Sequence, residues 1–287
     1  MNKLNSKKYV IGVDIGGTNM RAVLFDGEKV LADYMLATPK DNFEHFMIML
    51  KALVEPLLDR AEKDKVKVKA IGLGVAGMIN IKEKRVIKSP NLPIIDGEKL
   101  AFQLESRVRI PTLIDNDANC FTRAESVMGA AKKCANVYGI VIGTGIGGGW
   151  WNNKEIYRGS RNSAGEPGHM VIDYKEGVTL EKAYHKLTQG NPASLAEEAY
   201  RGDTLAEKVY EEIGHDLGIA LANIVNLFDP EIIVVGGGVL ESDDLFLSRA
   251  RKTMAEYIVN PEAKKIKVVK SGLGVLAGAV GAALLVT

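Results

Sequence analysis

The sequence predicts an α/β protein of two domains, and three observations carry that prediction. Two strand–glycine–strand turns, at residues 14–18 and 143–149, occupy comparable positions in two halves of the chain. Between them, runs of apolar residues at helix spacing alternate with short buried strands, the pattern of sheets covered by helices. A third glycine cluster, at 236–238, follows a late apolar strand, where α/β sheets place their ligands.

Taken in order, residues 9–14 and 20–37 read as strands, the second group interrupted at "DGEK", where Asp26-Gly27 is a hairpin signal. The chain therefore opens as a meander. Phe43, Phe46, Met47, Leu50, Leu53, Val54, Leu57 and Leu58 recur at three- and four-residue steps and predict an amphipathic helix, with Asp41 and Glu44 able to cap its start. "KAIGLGVAG" follows as a buried strand, "LAFQLESRV" as a helix, "PTLID" as a short strand and "NDANCFTRAESVMGA" as a helix. "LIDND" is the expected crossover between the halves. The second half repeats the theme, with strand, glycine turn and strand in "NVYGIVIGTGIGGGWW", then helices, then the strand "EIIVVGGGV". The small-residue tail "GVLAGAVGAALLVT" is too short to cross a bilayer and reads as a tightly packed buried helix.

Composition narrows the function classes. A chain of 287 residues with 46% hydrophobic and 25% charged residues is long enough for two domains with substantial cores. Its net charge of +1 gives no electrostatic footprint for nucleic acid. The alternating lysines of "KDKVKVKA" read as the solvated face of a strand. Cys120 and Cys134 are too few for a disulfide framework and lack metal-site spacing, which fits a reducing cytoplasm. "MNKLNSKK" lacks the apolar core of a signal peptide, so neither export nor a membrane partner is expected.

Each chemical motif admits two readings. "DIGGT" is either a hairpin or a turn whose backbone N–H groups approach phosphate oxygens, with Thr18 donating its hydroxyl and Asp14 holding a hydrated Mg²⁺. "GTGIGGG" is a second hairpin or the second side of a phosphate clamp, and the bare "VVGGG" would let an adenine ring approach the backbone. The spacing matches neither the Walker loop nor the Rossmann fingerprint. "DNDANC" is either a helix cap or a carboxylate placed to take a proton from a substrate hydroxyl. In "AGEPGHM", Glu166 and His169 are structural or together grip several hydroxyls of a sugar.

The ordered set "DIGGTNMR", "NDANC", "GTGIGGG", "AGEPGHM" and "VVGGG" resembles the ROK family of sugar kinases and sugar-responsive repressors, from about Tyr9 to the C-terminal tail. The resemblance implies a two-domain actin-like, ribonuclease-H-like α/β fold, with ATP and a hexose meeting in a cleft that closes about a hinge. It places the domains at 1–116, with the helix 275–287 packing back on it, and 117–274. It implies ATP and Mg²⁺ as cofactors, with Asp14 near the metal, through water. The nucleotide positions are Gly16, Gly17, Thr18, Asn19 and Arg21, then Gly143, Thr144 and Gly145, then Gly236, Gly237 and Gly238. Asp117 corresponds to the catalytic base, while Gly77, Asn91, Asn116, Glu166, His169 and Glu181 correspond to sugar-binding positions.

The expected reaction is transfer of the ATP γ-phosphoryl group to a hexose 6-hydroxyl, first of all that of glucose, by a cytoplasmic homodimer with no nucleic-acid or membrane partner. N-acetylmannosamine, N-acetylglucosamine, fructose, mannose and allose are the other acceptors. A noncatalytic sugar sensor is the reading from another class, although only eight residues precede the first strand and leave no room for a helix-turn-helix module. One departure stands out. Many family members carry a cysteine-rich zinc loop after the histidine, whereas "MVIDYKEGVTLEKAY" has no cysteine, so no structural zinc is expected, and apolar packing of Val171, Ile172, Val178 and Leu180 is expected to hold the loop instead.

Overall fold

The computed structural model describes residues 8–286. The expectation drawn from "MNKLNSKK" therefore falls almost wholly outside the described residues. The chain opens with β1 (Tyr9–Ile15), β2 (Asn19–Phe25) and β3 (Val30–Ala37), then α1 (Phe43–Lys63) and β4 (Val68–Val75). A small ribbon, β5 (Met78–Asn80) and β6 (Arg85–Lys88), precedes α2 (Leu100–Val108), β7 (Thr112–Asn116) and α3 (Asp117–Val127). These strands form a sheet in the order β3-β2-β1-β4-β7, antiparallel through the meander and parallel through β1, β4 and β7. Its core is built by Ile11, Val13, Ile71 and Leu73 of the sheet against Phe46, Leu50, Leu53 and Leu57 of α1.

The second part contains β8 (Asn136–Ile142), β9 (Ile146–Asn152), β10 (Glu155–Ile156), β11 (Val171–Asp173) and β12 (Val178–Thr179), then α4 (Leu180–Thr188), α5 (Pro192–Tyr200) and α6 (Thr204–Phe228). β13 (Ile232–Gly236), α7 (Leu247–Tyr257) and β14 (Lys267–Lys270) complete it. The sheet order is β10-β9-β8-β13-β14, again a hairpin joined to parallel strands. A separate core gathers Tyr138, Ile140, Tyr210, Leu217, Leu221, Ile233, Val235 and Phe246.

The last helix, α8 (Ala277–Ala283), belongs with the first sheet. Its buried alanines lie on β1 and β4, where Gly12 and Gly72 are required: a Cβ on either would overlap the helix backbone at Ala279 or Ala282. The small-residue tail packs by backbone approach, as its composition suggests.

Contacts divide the chain into two compact units. The first comprises the described residues to Val127, Arg158–Ser163 and those from Val275 onward; the second is Met128–Tyr157 with Ala164–Gly274. The division falls after α3 rather than at "LIDND", because α3 packs on α8 and β4. Two further expectations are corrected. Asn42, not Asp41, caps α1, its Oδ1 accepting from His45 N–H at 2.9 Å; Asp41 binds the His45 ring, and Glu44 binds Arg107. The helix starts one residue later than a cap at Asp41 would need. Val171 is 52% exposed, so the β11–β12 ribbon is held by strand pairing, by Leu180 and by partial burial of Ile172 and Val178, not by all four side chains.

Candidate active site

In the first unit, parallel pairing carries three chain segments to one edge of the sheet. Asp14 pairs with Gly74, which pairs with Asp115; Ile15, Val75 and Asn116 form the next row. Just beyond that row come the Gly16–Thr18 turn, Gly77 and Asp117, at the carboxyl ends where α/β sheets bind ligands. Gly16 N–H donates to Asn19 O at 3.0 Å, while Thr38 donates its hydroxyl to Gly16 O at 2.8 Å and its N–H to Thr18 O at 2.9 Å. Among the described residues no protein acceptor takes the N–H groups of Gly17 or Thr18, which leaves two donors and an exposed hydroxyl for an anion. Asn91 lies directly against this turn, since a Cβ on Gly17 would stand 2.8 Å from the Asn91 Cβ. Asn19 is exposed and lends the turn its carbonyl. Arg21, paired with Asp14 across the strands, places its guanidinium on Asp33 at 2.6 Å.

The motif "DNDAN" divides its labour. Asp115 is buried, and its Oδ2 accepts from Arg123 at 3.0 Å and Arg158 at 2.7 Å, while its Oδ1 accepts from Asn116 N–H at 2.9 Å. Asn116 Oδ1 accepts from Asn119 N–H at 3.0 Å, a bond that caps the start of α3, and its Nδ2 donates to Gly77 O at 3.1 Å. Gly77 itself sits at φ +144°, with Lys88 backbone where a Cβ would be, so only glycine fits. Asp117 is left as the half-buried carboxylate at the first position of α3. Burial pushes it up to about 6, against the backbone N–H groups at the helix start that it accepts from. Burial, then the neighbouring Asp117, push Asp14 up to about 7, with Arg21 pulling it back. Such a pair of carboxylates takes up a proton readily and would be relieved by a divalent cation.

In the second unit, β8 ends at Ile142 and the chain turns through Gly143–Gly145, closed by Gly143 N–H to Gly145 O at 2.9 Å, with Thr144 exposed at the tip. Gly236 pairs with Val141, so the Gly236–Gly238 cluster leaves the sheet beside this turn. Gly237 adopts φ +95° against the backbone of Ile142, which no other residue could do without overlap. Glu166 precedes, and His169 ends, a short 3-10 turn, Pro167–His169, packed on β9; Glu166 is half-buried and His169 exposed. Glu181, in the first turn of α4, accepts from Ile146 N–H through Oε2 at 2.6 Å.

The units thus each assemble their share of the positions named from the sequence. Sequence reasoning missed Thr38, Ile146 and the two arginines on Asp115. Arg123 lies eight residues after Asp115 on the next helix and was open to discovery; Arg158 had no local signal. Among the described residues, no group of three or more His, Cys, Asp and Glu is arranged to hold a metal ion. Asp14 fits a metal held mainly by water and phosphate, since one half-buried carboxylate with few protein donors is what such an ion uses.

A family model described as the ROK family matches residues 10–287. The glucokinase of Streptomyces coelicolor is 31% identical over 312 aligned positions, covering 95% of this chain and 96% of that protein. The N-acetylgalactosamine kinase AgaK of Shewanella sp. (strain ANA-3) is 28% identical, covering 96% of this chain and 95% of the relative. The crystal structure of a ROK family glucokinase from Streptomyces griseus, in complex with glucose and AMPPNP, aligns with a TM-score of 0.80 at 28% identity, covering 96% of this chain and 98% of that one. The two mixed five-stranded sheets match that two-domain architecture. Motif order, sheet topology and full-length similarity coincide from β1 to the final helix, and the chain belongs to the ROK family.

Proposed function

We propose that the chain transfers the γ-phosphoryl group of ATP to the 6-hydroxyl of a hexose, with glucose as the first acceptor. The observation that carries this reading is Asp117, a half-buried carboxylate raised to about 6 at a strand end, beside the turn that Gly17 and Thr18 leave open to an anion. A carboxylate with that affinity for protons is ionised near neutrality yet basic enough to accept the proton of an attacking hydroxyl. Asn91, Gly77, Asn116, Glu166, His169 and Glu181 serve the sugar, with Asn116 doing so from a side chain already fixed by its cap.

Phosphoryl transfer has a loose transition state, so catalysis rests on positioning and on stabilising negative charge. The N–H groups of Gly17 and Thr18, the Thr18 hydroxyl and the Gly143–Gly145 turn supply donors, and Gly236–Gly238 offers bare backbone to a flat base. Asp14 is the residue that would hold Mg²⁺, through water; when bound, the ion neutralises phosphate charge. Proton acceptance at Asp117 Oδ is the step assigned to this chain's own chemistry.

The 28% identity to an N-acetylgalactosamine kinase, at nearly the coverage of the glucokinase match, supports a second reading in which the acceptor is an N-acetylhexosamine. N-acetylmannosamine, N-acetylglucosamine and fructose belong in the same panel. ADP release should be followed with Mg-ATP and each sugar in turn, glucose giving the highest kcat/KM. ADP formation with none of them would contradict the kinase reading and favour a noncatalytic sugar sensor. A dimer in solution is part of the proposal and is read by light scattering.

A further inference from the structure

Resting on the kinase reading, we infer that Glu181 is a positioning residue for the phosphate turn as well as a ligand for the sugar. Its Oε2 accepts from Ile146 N–H at 2.6 Å, a short charge-assisted bond between residues 35 apart in sequence. Ile146 is the first residue of β9 and directly follows Gly143–Gly145, so this bond fixes the exit of the turn whose own closure is Gly143 N–H to Gly145 O. From the other side, Gly168 of the sugar loop lies on the Ile146 carbonyl so closely that a Cβ there would overlap it. One buried residue, Ile146, therefore joins three parts of the site through its N–H and its carbonyl: the phosphate turn, the Glu166–His169 loop and the first turn of α4.

The consequence is a linkage. Glu181 has a second oxygen, Oε1, for a sugar hydroxyl, and a hydroxyl bound there immobilises the side chain that holds Ile146. A turn already held in place loses less freedom when phosphate binds, so sugar and nucleotide strengthen each other's binding by the same factor. The sign separates this role from simple electrostatics. Removing a negative charge near a phosphate site would tighten nucleotide binding, whereas removing a brace weakens it.

The test measures AMPPNP affinity by calorimetry on the full chain without sugar, then with saturating glucose. Glu181→Ala should weaken AMPPNP binding roughly tenfold in the absence of sugar, which corresponds to about 1.4 kcal/mol. Glu181→Gln keeps an acceptor at the right reach and should stay within about threefold of the parent, the small loss of a neutral for a charged acceptor. Glu181→Asp keeps the charge but shortens the reach and should resemble Glu181→Ala, which preserves the test should the alanine variant fail to fold. A residue that touches only the sugar would leave AMPPNP affinity without sugar unchanged in all three, and that result overturns the inference. Tighter binding in Glu181→Ala and Glu181→Gln, with Glu181→Asp unchanged, also overturns it. If the parent itself binds no AMPPNP, the kinase reading fails first and takes the inference with it.

Discussion

Replacing Asp115 by Asn tests the idea that the motif's first carboxylate is structural. Asp115 is 1% exposed, and its Oδ2 holds Arg123 and Arg158 at 3.0 and 2.7 Å. Asn would keep the shape and the acceptor for Asn116 N–H but withdraw the carboxylate charge that Arg123 and Arg158 share. Breaking a buried ion pair costs about 3–5 kcal/mol, and we take the lower end because the Arg158 side chain can reach water. Its side chain is 31% exposed, against 10% for Arg123, so Arg123 carries most of the effect. At roughly 2–4 °C per kcal/mol for a domain of this class, the Tm should fall by about 6–12 °C. Scanning calorimetry reads the shift directly. A second change, Arg123→Gln, should restore part of the loss by removing one of the two charges that shared the carboxylate, as expected for neighbours that couple. A fall of under about 2 °C, with no recovery in the double variant, would refute the buried triad as the anchor of the β7–α3 junction.

Other outcomes follow from the same geometry. Gly72→Ala should cost about 1–3 kcal/mol by driving a methyl group into the backbone of α8, and limited proteolysis should then release the C-terminal helix. Asp14→Asn should abolish Mg-ATP turnover while raising the Tm at pH 8. Asp14 holds its proton up to about 7 when folded, against an ordinary value of 3.8, so the folded chain binds more protons between those values and stability falls as pH rises through them. The gain should therefore fade toward pH 4, and a gain that persists there would contradict the burial assignment. Purified protein should carry no stoichiometric zinc, and zinc-selective chelation with Mg²⁺ in excess should leave ADP formation intact; loss of activity would show a metal requirement outside this account.

Much of the fold was legible because its signals are local. Alternating or continuous apolar strands ending in glycine marked β1, β4, β8 and β13, and the helix-spaced residues from Phe43 to Leu58 marked α1. The lysines of "KDKVKVKA" are exposed, but only Lys69 lies in β4, between buried Val68 and Ala70; Lys63 ends α1, and Lys65 and Lys67 lie in the connection before the strand. Strands of two to four residues, such as β5, β10 and β12, were invisible because so few residues carry no period. The cap of α1 was misread by one residue because Asp41 and Asn42 are both good caps and only the start of the helix decides between them. At the site, glycine turns and "NDAN" stood out as residue types. Their bonding did not, because it spans distance in sequence: Asp115 to Arg158 crosses 43 residues, and Asn91 meets Gly17 only once β1 and the chain after β6 are folded together.

Asp117→Asn puts the proposed role of Asp117, proton acceptor for the sugar hydroxyl, to the test. The substitution keeps size and hydrogen-bonding shape at the start of α3 but removes the basic oxygen. Sugar-dependent ADP formation should fall by roughly a hundredfold to ten-thousandfold, the scale of a lost general base, while calorimetric sugar affinity stays within a few-fold of the parent. In the parent, kcat/KM should fall as pH drops through about 6, as Asp117 becomes protonated. Turnover within a few-fold of the parent in Asp117→Asn would contradict the account.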